Sequence, residues 1–217
     1  VWNEPNAWTS NPSPGVYTGG TFIYPSNFAW LLKNSYAAIK NANPSAVVIS
    51  GGLYAHNTSG SPSIYSLALP AARDPNRRKR GSYAGPASTS CSSSVATSGA
   101  SYLCSTYSEG IINAGWATPY PFDEVGQHLY IDQFGRTSSN HVTSYLQDLR
   151  NAYLTYESTT TSKQTHVTEV GWSTANVSNS VQAQNLQTAY TTFRSTSYVG
   201  RAYWFSIQDV PEASLYY

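Results

Sequence analysis

Apolar positions along the chain follow two periods that alternate. Behind Pro25-Ser26, the residues Phe28, Leu32 and Ile39 share one face of a helical repeat, and Asn43-Pro44 ends the run, so a helix with Ser26 as N-cap is expected. A second helix is predicted from Val142, where Leu146, Leu149, Tyr153 and Tyr156 recur three and four residues apart. A third is predicted from Ser180, through Gln182, Leu186, Ala189, Tyr190 and Phe193. Short β-rich runs lie between them: Ala46 to Ser50, Val125 to Tyr130, Thr165 to Val170 and Arg201 to Phe205. Strand and helix in alternation is the pattern of βαβ units on a parallel sheet, so the fold class is α/β.

Val1-Trp2-Asn3 has the character of one more strand end, which brings the count to five. A (β/α)8 TIM barrel has eight strands and typically ~250 residues. The chain is therefore expected to cover about strands 4 to 8 of such a barrel. It reads as one partial barrel domain over residues 1–217, with a long insertion at about 55–120. Half a barrel leaves sheet edges and apolar faces to be covered. The N-terminal half is expected from a preceding segment or from another chain. The insertion carries Arg77-Arg78-Lys79-Arg80, a run shaped like a dibasic processing site but ordinary for a solvated loop.

Composition narrows the classes. With 217 residues, 40% of them hydrophobic and 14% aromatic, the chain can bury one sizeable core and is not a disordered one. Only 11% of residues are charged and the net charge is +1, so no global field favours nucleic acid or an anionic membrane as partner. The longest apolar runs, such as Ala46-Val47-Val48-Ile49, are far short of a membrane span. Cys91 and Cys104 stand in a Ser/Thr/Gly-rich stretch without metal-type spacing, and a short-loop disulfide is the expected reading. With two glycosylation triplets, Asn57-Thr58-Ser59 and Asn176-Val177-Ser178, it places the protein outside the cell. No phosphate-binding glycine loop and no Gly-x-Ser-x-Gly elbow occurs, and His56, His128, His141 and His166 lack metal-ligand spacing. No cofactor and no metal is called for.

The 11 acidic residues can be sorted one by one. Asp74 lies in the basic loop, Glu109, Asp148 and Glu157 fall within helices, Glu212 is near the chain's end, and Asp123 and Glu124 stand where a strand begins. Four remain at or just past strand exits: Glu4, Asp132, Glu169 and Asp209. Glu4 and Glu169 each close an apolar run and are followed by a turn former and a tryptophan. The C-terminal ends of barrel strands are where this architecture presents catalytic groups. Two carboxyl groups in unlike environments, one protonated and one ionised, are what glycoside hydrolysis requires. Asp132 and Asp209 are candidates for binding hydroxyls further along the same cleft.

At these residues the chain resembles the retaining glycoside hydrolases of clan A, which are (β/α)8 barrels. Trp2-Asn3-Glu4-Pro5-Asn6 is similar to their strand-four signature, and Thr168-Glu169-Val170-Gly171-Trp172-Ser173 to the strand-seven nucleophile motif. Gly126-Gln127-His128-Leu129-Tyr130 resembles the strand-six His-x-Tyr, and Ala202-Tyr203-Trp204-Phe205-Ser206 the strand-eight tryptophan segment. The four occur in the family's order and span nearly the whole chain, closest to the family 39 and family 5 neighbourhood. The resemblance implies Glu4 as general acid/base and Glu169 as nucleophile. It implies Asn3 on the sugar 2-hydroxyl, Tyr130 against the nucleophile, His128 lining the same subsite and Trp204 as a stacking floor. Trp172 and Trp8 are further platforms. The substrate would be an oligo- or polysaccharide joined by β-glycosidic bonds. The family's first strands supply further polar groups to the site, and none of those is present here. The rival reading is a non-catalytic extracellular carbohydrate-binding or structural protein on the same barrel. Transglycosylation would use the same residues with a different acceptor.

Overall fold

The computed structural model describes residues 2–6, 23–55 and 98–205. Its elements run α1 (Pro25–Ala42), β1 (Ile49–Tyr54), α2 (Ser98–Ile112), β2 (Glu124–His128), α3 (Ser139–Leu154), β3 (Thr165–Val170), α4 (Asn179–Ser195) and β4 (Val199–Trp204). All strand pairs are parallel and the sheet order follows the chain, β1-β2-β3-β4. Asn3 adds an isolated parallel bridge to Gly52 on the outer side of β1, where a fifth strand was expected. The sheet is open among the described residues, with β4 as a half-exposed edge. The α/β alternation therefore stands, while closure into a barrel is not seen. Trp8, His56, Asn57, Arg77 to Arg80, Cys91 and Asp209 lie outside the described residues.

Helix α1 forms where the periodicity placed it, but its cap differs. Pro25 opens the first turn, with its fixed φ and missing N–H, and Tyr24 occupies the N-cap without a side-chain bond, so Ser26 is helical. Phe28 and Leu32 are fully buried, each adding about 1.5–3 kcal/mol of burial. Phe28 meets Tyr102 of α2 with ring centroids 5.7 Å apart, whereas Ile39, near the helix end, is exposed. Ser138 and Ser178 cap α3 and α4, their hydroxyls accepting from His141 and Val181 N–H.

Two segments depart from the expected layout. The presumed insertion contains α2, the helix that joins β1 to β2, so residues 98–112 belong to the regular βα repeat. Its Ala100, Tyr102, Leu103, Cys104, Thr106 and Tyr107 are buried almost all round, and a helix buried on so many faces shows little amphipathic contrast. Strand β1 runs on through Gly51-Gly52 instead of ending at Ser50. Gly51 has φ 115°, and a Cβ there would stand 2.4 Å from the Trp2 carbonyl oxygen. The glycines admit the incoming chain end against the sheet and do not mark a turn.

At the strand starts, Asp123 fastens α1 to the sheet. Lys40 Nζ lies 2.8 Å from its Oδ2, the Val48 N–H donates to the same oxygen at 2.7 Å, and the Tyr36 hydroxyl donates to Oδ1 at 3.2 Å. Burial favours the neutral acid, but these three donors outweigh it and hold the carboxyl below its ordinary value. The folded chain thus prefers the ionised form more than the unfolded chain does. The stability this adds is present above the ordinary carboxylate range and is lost as pH falls through the lowered folded value. Asp123→Asn is expected to destabilise at neutral pH, with a deficit that shrinks below about pH 4. Denaturant melts of both proteins at pH 7 and pH 3 test it, and an equal deficit at both would refute the linkage.

Candidate active site

The chain approaches the sheet through Asn3 and turns sharply at Glu4. The Glu4 N–H donates to the Gly52 carbonyl at 3.0 Å, continuing the Asn3 bridge. Glu4 itself has φ 44°, in the left-handed region that costs a non-glycine residue about 1–2 kcal/mol. Asn6 holds this turn in place. Its Nδ2 donates to the Tyr54 carbonyl and its Oδ1 accepts from the Tyr54 N–H, both at 2.8 Å, so a buried side chain imitates a strand partner at the end of β1. In the sequence only its place, one residue past the proline of a turn, marks Asn6 for this part.

Three strands then bring their side chains together. His128, 2% exposed, ends β2, in register with Tyr54 of β1 on one side and Glu169 of β3 on the other. Its Nδ1 lies 2.7 Å from Glu4 Oε1 and its Nε2 3.5 Å from Glu169 Oε1. The Tyr130 hydroxyl donates to Glu169 Oε2 at 2.7 Å. The histidine ring is a wedge between the two carboxyl groups, and Glu4 and Glu169 are both partly exposed beside it. One carboxylate oxygen from each glutamate and one ring nitrogen of His128 all lie within 4.8 Å of one another. Such a trio could hold a divalent cation, an arrangement invisible to sequence spacing because its members sit on separate strands.

The ring has room only because β1 carries a glycine there. A Cβ on Gly52 would stand 1.9 Å from His128 Nε2. Gly52→Ala is expected to push the imidazole off both carboxyl groups at an overpacking cost of about 1–3 kcal/mol. Thermal unfolding and activity measured together test it, and a variant unchanged in both would show that the ring is not wedged.

The aromatic candidates separate. Trp204, at the end of β4, is half-buried and lies 6.3 Å from Trp172, centroid to centroid. Tyr130 meets Phe205 edge-on at 6.4 Å, so Phe205, exposed and not singled out from sequence, borders the site. Trp172 is 3% exposed, packs in the core between the sheet and α3 and α4, and donates its indole N–H to the Ile131 carbonyl at 2.8 Å. The structure places it beneath the site as packing. Asn3 is exposed at the strand exit next to Glu4.

A parallel α/β sheet with two carboxyl groups set against each other at its strand exits is the equipment of a carbohydrate-cleaving enzyme. Residues 77–216 match the family described as the glycosyl hydrolase catalytic core, and the chain belongs to that family. The matched stretch contains His128, Tyr130 and Glu169; Glu4 precedes it. No curated protein and no solved structure matches the chain.

Proposed function

We propose that the protein is a retaining β-glycosidase acting on an oligo- or polysaccharide by double displacement, with Glu169 as nucleophile and Glu4 as acid/base. The observation that carries this reading is the separation of the pair. Oxygens of Glu4 and Glu169 within 4.8 Å of each other suit direct attack by one carboxylate, for which about 5–5.5 Å between the groups is usual. An inverting enzyme needs ~6.5–9.5 Å to admit a water between them.

In the first step a Glu169 oxygen attacks the anomeric carbon while protonated Glu4 gives its proton to the departing glycosidic oxygen. In the second, Glu4 takes a proton from water, whose oxygen displaces Glu169 from the sugar. Tyr130 donates to the Glu169 oxygen that it faces and keeps the carboxylate oriented for attack. His128 serves both halves of the cycle with one tautomer: its Nδ1–H donates to Glu4 Oε1 across 2.7 Å, which leaves Oε2 to give the proton to the leaving oxygen and later to take one from water. Asn3 would bind the 2-hydroxyl, and Trp204 would floor the reacting sugar.

The same proposal places the chain in clan A, near families 39 and 5, as strands 4 to 8 of a closed (β/α)8 barrel. The bridge at Asn3 and the β4 edge are where the remaining strands would join, from a preceding segment or another chain. No described helix is long and apolar enough to cross a membrane. An extracellular location, with a Cys91–Cys104 bridge and glycans on Asn57 and Asn176, is part of the proposal. Cys104 is buried on α2, and Asn176 sits half-buried in the turn between β3 and α4.

The test is a panel of β-linked polysaccharides, followed by proton NMR of the first product formed from the one that is cleaved. A β-anomer appearing before mutarotation is expected. An α-anomer appearing first would overturn the retaining assignment.

A further inference from the structure

Only two non-glycine residues among those described have left-handed backbone, Glu4 and Asp132 (φ 51°). Both stand just past the C-terminal end of a strand. A conformation this costly persists only where its surroundings impose it, and such residues gather at functional sites. Asp132 opens a turn, closed by the Gly135 N–H donating to its carbonyl at 3.1 Å, and that turn carries Phe134. Phe134 is 82% exposed, more than any other large apolar side chain among the described residues.

The loop that displays this phenyl ring is tied down on every side. Gln133 Nε2 donates to the Gly171 carbonyl at 2.9 Å, two residues beyond Glu169. Buried Asn185 of α4 accepts from the Thr137 N–H at 2.9 Å and donates to the Gly135 carbonyl at 2.8 Å. His141, in the first turn of α3, holds Asp132 Oδ2 at 2.8 Å. The loop is fixed to two helices and to the exit of β3, and among the described residues it leaves its phenyl ring in water. The ties hold the turn that carries Asp132 and Phe134 at the exit of β3, the strand that presents Glu169.

We propose that Asp132 and Phe134 form a distal sugar subsite, binding a pyranose ring of the same glycan chain some units away from the bond being cut. The apolar face of a pyranose stacks on the phenyl ring, and Asp132 accepts from hydroxyls on the ring's edge. His141 is a positioning residue that holds the carboxylate toward the turn. A ring with one apolar face and a hydroxylated rim is the ligand that this pairing of an aromatic and a carboxylate recognises. An apolar partner would desolvate Asp132 and leave its carboxylate with His141 alone, whereas a hydroxylated rim brings further donors to it. The subsite rests on the glycosidase reading for its substrate, and it sets a preference for long chains over short ones.

Full-chain wild type, Phe134→Ala and Asp132→Asn are compared on a ladder of oligomers, two to six units long, prepared from the polysaccharide that wild type cleaves. Each variant is expected to lose about tenfold in kcat/KM on the longest oligomer, or ~1.4 kcal/mol, mostly through KM, with the loss shrinking as the chain shortens. A loss equal at every length, or none at any length, would overturn the subsite. Retardation in gels containing the same polysaccharide gives a readout independent of turnover, run in a Glu169→Ala background. Weaker retardation of Phe134→Ala supports the subsite even if Glu169 proves not to be the nucleophile. Equal retardation contradicts it. If wild type cleaves nothing in the panel, the gels alone decide, using each panel polysaccharide in turn.

Discussion

Glu169→Ala is expected to reduce turnover on the order of 10⁴-fold or more, with substrate affinity largely kept. The carboxylate provides the bond that divides one difficult displacement into two, and no neighbour can replace it. Tyr130 can only donate to it, at 2.7 Å, and His128 Nε2 stands 3.5 Å away on the far side. The vacated space would admit a small anion such as azide. Azide attacking from the nucleophile's side should restore turnover of an activated aryl glycoside and yield a glycosyl azide of inverted configuration. Kinetics of the variant with and without azide, with the product configuration read by NMR, check the prediction. A variant that keeps more than a few per cent of wild-type turnover without azide would remove Glu169 from the chemistry.

Glu4→Gln is expected to cost roughly 10²–10⁴-fold on a natural polysaccharide and far less on an aryl glycoside whose leaving group departs without a proton. The amide keeps a contact to His128 Nδ1 at the 2.7 Å position but has no proton to give. The alkaline limb of the pH–rate profile reports the proton donor, and it should vanish with Glu4. Comparing the two substrate types across pH measures both effects. An equal loss on both would mean that Glu4 binds sugar and does not transfer protons. Unchanged release of sugar from polysaccharide would favour the rival reading, a carbohydrate-binding scaffold on the same fold.

Much of the arrangement was legible because it depends on local pattern. The helical period carried α1, α3 and α4, and Thr165 to Val170 matches β3 residue for residue. Glu4 and Glu169 were picked out as strand-exit carboxylates, and the structure brings them together. What escaped depends on contacts between distant residues. The β-rich run stopped at Ser50 in the sequence because the reason for Gly51-Gly52 within a strand lies elsewhere, in the Trp2 carbonyl and the His128 ring. Of helix α2 only the neighbourhood of Glu109 read as helical, because the helix is buried on most faces and small and hydroxylated residues replace an amphipathic stripe. Asn6 and Asn185, both buried, organise the loops by bonding to backbone 48 and 50 residues away, and only Asn6, just past the proline of a turn, carries any local mark. His128 read as a sugar contact, yet its geometry is that of a wedge between the two carboxyl groups.

The account turns on a covalent bond between sugar and one named side chain. Incubation with an activated 2-fluoro glycoside of the sugar that the protein cleaves slows the second step and traps that bond. Mass spectrometry of the digested protein then locates the label. The account predicts one glycosyl unit per chain, on Glu169, and none when Glu169 is replaced by alanine. A label on Glu4 or any other residue would contradict it.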